Sequence, residues 1–140
     1  MKFSWMNKLK EFAKKLDYDS EDPNSGNVQN LDNYQTTKAF ITNTLRNNDV
    51  VLFMKGTSEM PQCGFSNYVV QVFKFYKVKD FHVVNVLDSD MIREGIKKYS
   101  NWPTIPQIYI KEEFIGGSDI IKEMHMDGSL EHLLQREKLI

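Results

Sequence analysis

The sequence predicts a small α/β domain: a mixed four-stranded sheet flanked by helices. Three observations predict it. Apolar stretches of strand length near residues 50–54 and 81–86 alternate with segments whose apolar residues recur every three or four positions. The strand–helix–strand order across residues 49–86 calls for a parallel pair joined by a crossover helix. Two short runs, 107–110 and 113–115, stand two residues apart and read as a hairpin, which adds antiparallel strands to the same sheet.

The elements follow in order. Residues 1–16 place Phe3, Met6, Leu9, Phe12 and Leu16 at helical spacing, with Lys2, Lys8, Lys10, Lys14 and Lys15 around them. This stripe reads as a targeting or membrane-surface helix, but it holds Glu11 and no arginine, and it reads equally as a plain lysine-rich extension. Residues 17–33 are polar, include Pro23 and Gly26, and read as a solvated, disordered linker. Residues 1–33 are therefore an extension and 34–140 the packed domain. Residues 34–47 form a helix with Phe40, Ile41 and Leu45 inward. Residues 49–55 form a buried strand. Residues 64–77 form a helix whose apolar side carries Tyr68, Val69, Val72, Phe73 and Tyr76. A strand at 81–86 leads to a helix at 88–99, with Asp88, Ser89 and Asp90 as candidate caps. The hairpin turn at Lys111-Glu112-Glu113 lacks the Asn-Gly or Asp-Gly pair common in tight hairpins. Helices at 119–126 and 129–138 close the domain.

Composition excludes several classes. Eighteen lysines and arginines against nineteen acidic residues leave a net charge of −1, so no basic surface invites nucleic acid. No apolar run is long enough for stable membrane insertion. One cysteine in 140 residues argues against a secreted disulfide scaffold and fits a reducing compartment. His82, His125 and His132 have no metal-ligand spacing.

Chemistry gathers in three segments. The first is Lys55 with Cys63-Gly64-Phe65-Ser66. Cys63 follows the first strand and opens a helix, where free N–H groups and the helix dipole favour thiolate. Lys55 can bring an ammonium to the sulfur or to an anionic ligand, and Gly64 admits a close approach. Ser66 stands where a dithiol motif keeps its resolving cysteine, and a hydroxyl cannot release a mixed disulfide. A buried core cysteine is the bland alternative, disfavoured by the Gly/Pro/Ser surroundings. The second segment is Trp102-Pro103-Thr104-Ile105-Pro106, stiffened by two prolines. A cis Ile105–Pro106 bond is a minority outcome on sequence grounds alone; the bland reading is a rigid loop. The third is Gly116-Gly117-Ser118-Asp119. Ser118 or Asp119 would cap the following helix, whose N–H groups suit a carboxylate, and an aspartate suits an ammonium. Taken alone this is a plain helix start. Arg93, on the preceding helix, is a second cation or a surface residue.

Taken in this order and at these separations, the three segments resemble the monothiol glutaredoxins of the CGFS class, over about residues 40–134. The resemblance implies a thioredoxin-like fold with Pro106 cis beside Cys63, and a glutathione site. In that site Lys55 and Arg93 take the glycyl carboxylate, the Ile105 backbone the cysteinyl unit, and Ser118 and Asp119 the γ-glutamyl end. Phe65, Thr104, Pro106 and Gly117 complete its lining. It further implies a [2Fe–2S] cluster with Cys63 as metal ligand, passed between iron–sulfur donor and acceptor proteins. Such a cluster needs four ligands, normally thiolates. One chain supplies one, so a homodimer bridged by the cluster, with two glutathione thiols, completes the set. Ser118 stands where relatives often carry cysteine, and residues 1–33 have no counterpart in the minimal domain. The single-domain type is usually mitochondrial in eukaryotes and cytosolic in bacteria, which gives mitochondrial as the expectation and cytoplasmic as the alternative.

Two function classes and a third follow. The first is a cluster carrier. The second is a glutathione-dependent oxidoreductase with Cys63 as sole nucleophile, its activity held weak by the loop from Lys55 to Gln62. The third is an inert adaptor, which has no use for three convergent ligand motifs.

Overall fold

The computed structural model describes residues 28–140, with side chains from Tyr34 onward. The expected stripe over 1–16 and the linker through residue 27 lie outside the described residues. Ten elements follow: α1 (Val28–Asn47), β1 (Val50–Met54), α2 (Gly64–Phe75), β2 (His82–Asn85), a single 3-10 turn (Val86–Asp88), α3 (Asp90–Ser100), β3 (Gln107–Ile110), β4 (Glu113–Gly116), α4 (Ser118–Asp127) and α5 (Ser129–Arg136). The first helix starts at Val28, six residues before the expected 34. No glycine or proline follows Gly26 in this stretch, so nothing in the backbone chemistry stops the helix from extending upstream.

The sheet order is β2–β1–β3–β4. β1 runs parallel to β2 and antiparallel to β3, and β3 and β4 form the hairpin. This is the mixed four-stranded sheet the sequence predicts. All five residues of β1 are buried, because helices cover both faces of the sheet. The strand period of two divides them. Val50, Leu52 and Met54 enter one core with Val69, Phe73, Ile121, Leu130 and Leu134. Val51 and Phe53 enter the other with Phe40, Ile41, Leu45, Ile92 and Ile96. Thus α2, α4 and α5 cover one face, and α1 and α3 the other. Each fully buried side chain of β1 contributes about 1.5–3 kcal/mol relative to exposure.

Local chemistry sets the joints. Ser89 caps α3, its Oγ accepting from the Met91 N–H at 3.0 Å, while Asp88 lies in the 3-10 turn. Gly95 lets α1 and α3 approach closely, since a Cβ there would overlap the Thr37 methyl. The hairpin turns on Lys111 and Glu112, both left-handed at φ +52° and +67°. A type I′ turn requires that conformation at both positions, and here two non-glycine residues adopt it. A one-residue register shift between Ile108 and Tyr109 then bulges β4.

Candidate functional site

β1 delivers Lys55 to its carboxyl end, and the loop that follows is built rather than loose. Gly56 pairs with Pro61 across a short bridge. It holds φ +93°, and a Cβ there would overlap the Met60 carbonyl, so glycine is required. The Gln62 N–H donates to the Lys55 carbonyl at 2.9 Å, closing the loop. Asn85, at the end of β2, accepts from the Gly56 N–H at 2.9 Å and from the Leu87 N–H at 3.0 Å. These bonds return the chain beside Lys55, so that Cys63 becomes the N-cap residue of α2 in extended conformation.

Cys63 is neither buried core nor fully exposed. Burial pushes its thiol up, but the amides of Ser66 and Phe65, the Ser66 hydroxyl and the Lys55 ammonium outweigh it and hold the pKa below the usual thiol value. Ser66 itself is fully buried. Its Oγ accepts from the Lys55 N–H at 3.2 Å, joining the end of β1 to the first turn of α2. Phe65 is exposed beside the sulfur, at 63%.

A cavity of about 790 Å³ opens at Cys63. Every candidate site residue lines it: Lys55, Cys63, Phe65, Arg93, Thr104, Ile105, Pro106, Gly117, Ser118 and Asp119. Its volume falls in the range of small-molecule sites. Because α3 and α4 cover opposite faces of the sheet, the cavity straddles the strand ends. Arg93 comes from one side, Ser118 and Asp119 from the other. A smaller cavity of about 390 Å³ shares Cys63, Phe65, Ser118 and Asp119 and adds Tyr68 and Lys122.

The Ile105–Pro106 bond is cis, as the resemblance implies and the residues alone did not favour. One expectation is corrected. Gly117, not Ser118 or Asp119, is the N-cap of α4, and no side chain caps the helix. Gly117 has φ −99°, so left-handed freedom is not its purpose. A Cβ there would lie 3.3 Å from the Pro106 carbonyl and 3.6 Å from Trp102 Nε1, so the residue allows the 102–106 segment and α4 to close on each other. Arg93 is half-buried and bridges Asp90 at 3.0 Å and Glu94 at 3.8 Å. His125 is half-buried and bonds the Tyr76 hydroxyl at 2.6 Å.

Sequence reasoning missed Lys97 and Glu94, and gave Trp102 no role beyond its segment. Lys97 lines the cavity one helical turn beyond Arg93, a spacing that could have marked it. Glu94 lines it and pairs with Lys97 at 3.7 Å. Trp102 lines it while its ring packs 5.8 Å from Phe114. The arrangement offers cations for carboxylates, an aspartate for an ammonium, and one activated sulfur between them. Among the described residues no group of three or more His, Cys, Asp or Glu could hold a metal ion.

Comparison with known proteins agrees with this geometry. Residues 50–115 match the glutaredoxin family model. The chain is 52% identical over 99 residues to an uncharacterized monothiol glutaredoxin ycf64-like of Synechocystis, spanning 71% of this chain and 92% of that one. It is 49% identical over 92 residues to the mitochondrial glutaredoxin-related protein 5 of Danio rerio, spanning 66% of this chain and 59% of that one. In three dimensions it resembles the solution structure of reduced poplar apo GrxS14, with a TM-score of 0.64 and 44% identity over 72% of this chain and 92% of that one.

Proposed function

This chain belongs to the monothiol glutaredoxins, and from that premise we propose that it carries a [2Fe–2S] cluster between two protomers, ligated by glutathione, and passes it to acceptor proteins. One observation carries the reading. The sole cysteine of the chain sits activated at the mouth of a tripeptide-sized cavity whose opposite sides are cationic and acidic. The glycyl carboxylate of glutathione matches Lys55 and Arg93 on one side, and its α-ammonium and α-carboxylate, which share one carbon, match Asp119 and the first N–H groups of α4 on the other. Its thiol then lies with Cys63, and two such pairs supply the four sulfurs a cluster needs. The cluster is cargo: the protein's own contribution is to hold glutathione, favour the thiolate form of Cys63 and leave the sulfur accessible. Ser66 is buried and its hydroxyl accepts from the Lys55 amide; an oxygen there cannot resolve a mixed disulfide, so dithiol exchange within the Cys63–Ser66 motif is closed.

The test is anaerobic reconstitution with iron, sulfide and glutathione, followed by absorption and size measurement. Wild type becomes brown and dimeric, and Cys63→Ser stays colourless and monomeric. A colourless wild-type monomer overturns the reading, and fast turnover in a mixed-disulfide reduction assay would instead favour the oxidoreductase. Mitochondrial residence, which the Danio rerio relative carries in its name, is the address this reading gives, with residues 1–33 directing it. A fusion lacking residues 1–33 that still reaches mitochondria overturns that part.

A further inference from the structure

Gln107 begins β3 immediately after Pro106, and its side chain is fully buried. Nε2 donates to the Trp102 carbonyl at 3.1 Å and to the Thr104 carbonyl at 3.2 Å. Both of these residues line the cavity. The other end of the same side chain, Oε1, is buried without a hydrogen-bond partner. An orphaned acceptor in the interior destabilises a fold, and an apolar side chain of the same length would avoid it. A group that breaks the rule for cores while gripping a binding segment marks a functional site rather than a stabilising one.

We infer that Gln107 is a positioning residue: it fixes Trp102 to Ile105 in the shape that receives glutathione, without touching the ligand. The inference rests on the glutathione-site reading. The physical need is plain. Residues 101–106 lie in no helix or strand, so no regular ladder fixes their path. The Trp102 N–H is tied to the Lys97 carbonyl at 3.1 Å, which anchors the start of the segment. The forked amide of Gln107 ties its middle. A segment free to sample other shapes binds in proportion to the fraction of time it spends in the right one.

The experiment uses the full chain with two substitutions. Gln107→Met keeps the length and removes the donor. The melting temperature stays within a few degrees of wild type. Backbone 15N order parameters at Trp102, Thr104 and Ile105 fall from about 0.85 to below about 0.6. The dissociation constant for glutathione rises roughly tenfold, as for a competent shape populated about a tenth of the time. Gln107→Glu supplies a signature that a structural role would not. Its buried carboxyl donates one hydrogen bond when protonated, and when ionised it donates none and faces two carbonyl oxygens. Its affinity relative to wild type therefore recovers as pH falls from about 8 to about 5. Unchanged order parameters in Gln107→Met overturn the inference, whatever glutathione does. So does a Gln107→Glu profile parallel to wild type, or unfolding of both variants, which would make the residue merely structural. Failure of wild type itself to bind glutathione would refute the functional reading instead, leaving the order parameters to judge Gln107.

Discussion

At the scale of single residues, the chemistry turns on how Ser66 divides its hydroxyl. It accepts from the Lys55 amide and also bonds toward the Cys63 sulfur. Ser66→Ala removes one of the groups that lower the thiol pKa while leaving the N–H groups of the helix in place. The pH profile of iodoacetamide alkylation should move upward. The variant reacts more slowly than wild type near neutral pH and equally fast once both thiols are ionised. Lys55→Gln moves the profile the same way, because it removes a favourable charge. A profile unmoved by either change would mean that the backbone amides alone set the thiolate. Cys63 was legible in the sequence because a lone cysteine between a strand and a helix has few other uses. The roles of Asn85 and Gln107 were not, since a side chain that ties a backbone group on another segment leaves no periodic trace. For Gly117, sequence shows a missing Cβ but not the Pro106 carbonyl that one would meet.

At the scale of elements, strands and helices were legible where apolar period and turn residues agreed, as in β1 and α3. The start of α1 was missed because polar residues without glycine or proline permit a helix as readily as a linker. The hairpin turn was the least readable joint. Two left-handed L-residues are unusual, and nothing in Lys111-Glu112 announces them. The turn is forced by the strands on either side, paired from Ile110 and Glu113 inward. Glu112→Gly should therefore stabilise the domain by about 1 kcal/mol, the cost of holding a Cβ in the left-handed region. The change sacrifices only an exposed contact to Arg46 at 3.9 Å, which contributes little. A higher urea midpoint at unchanged slope is the expected readout. Gly95→Ala tests the opposite case. The added methyl meets Thr37 between α1 and α3 and should destabilise by about 1–3 kcal/mol, with a lower midpoint. Equal stability of Gly95→Ala and wild type would show that the two helices can part freely.

At the scale of the whole molecule, the proposed carrier is incomplete by design, because one chain owns one thiol and the cluster needs four ligands. That deficit decides what holds the dimer. If protein contacts formed it first, wild-type and Cys63→Ser chains would mix at random before the cluster arrived, and many wild-type chains would face a partner without a ligand. If the cluster itself joins the protomers, the variant has nothing to offer and stays outside. The surface around Cys63 favours the second case. Among the described residues its large exposed apolar groups are few, with Phe65, Met60 and Trp102 standing out, and an obligate dimer generally buries a broad apolar face. An equimolar mixture reconstituted under anaerobic conditions should therefore keep the same cluster absorbance per wild-type chain as wild type alone. A fall to about half that value, the random-pairing result for a preformed symmetric dimer, would place the interface in the protein and not in its cargo. On the proposed reading release would be concerted: an acceptor that removed the cluster would also remove the bond between protomers, and the empty chains would separate with Cys63 again open at the cavity mouth.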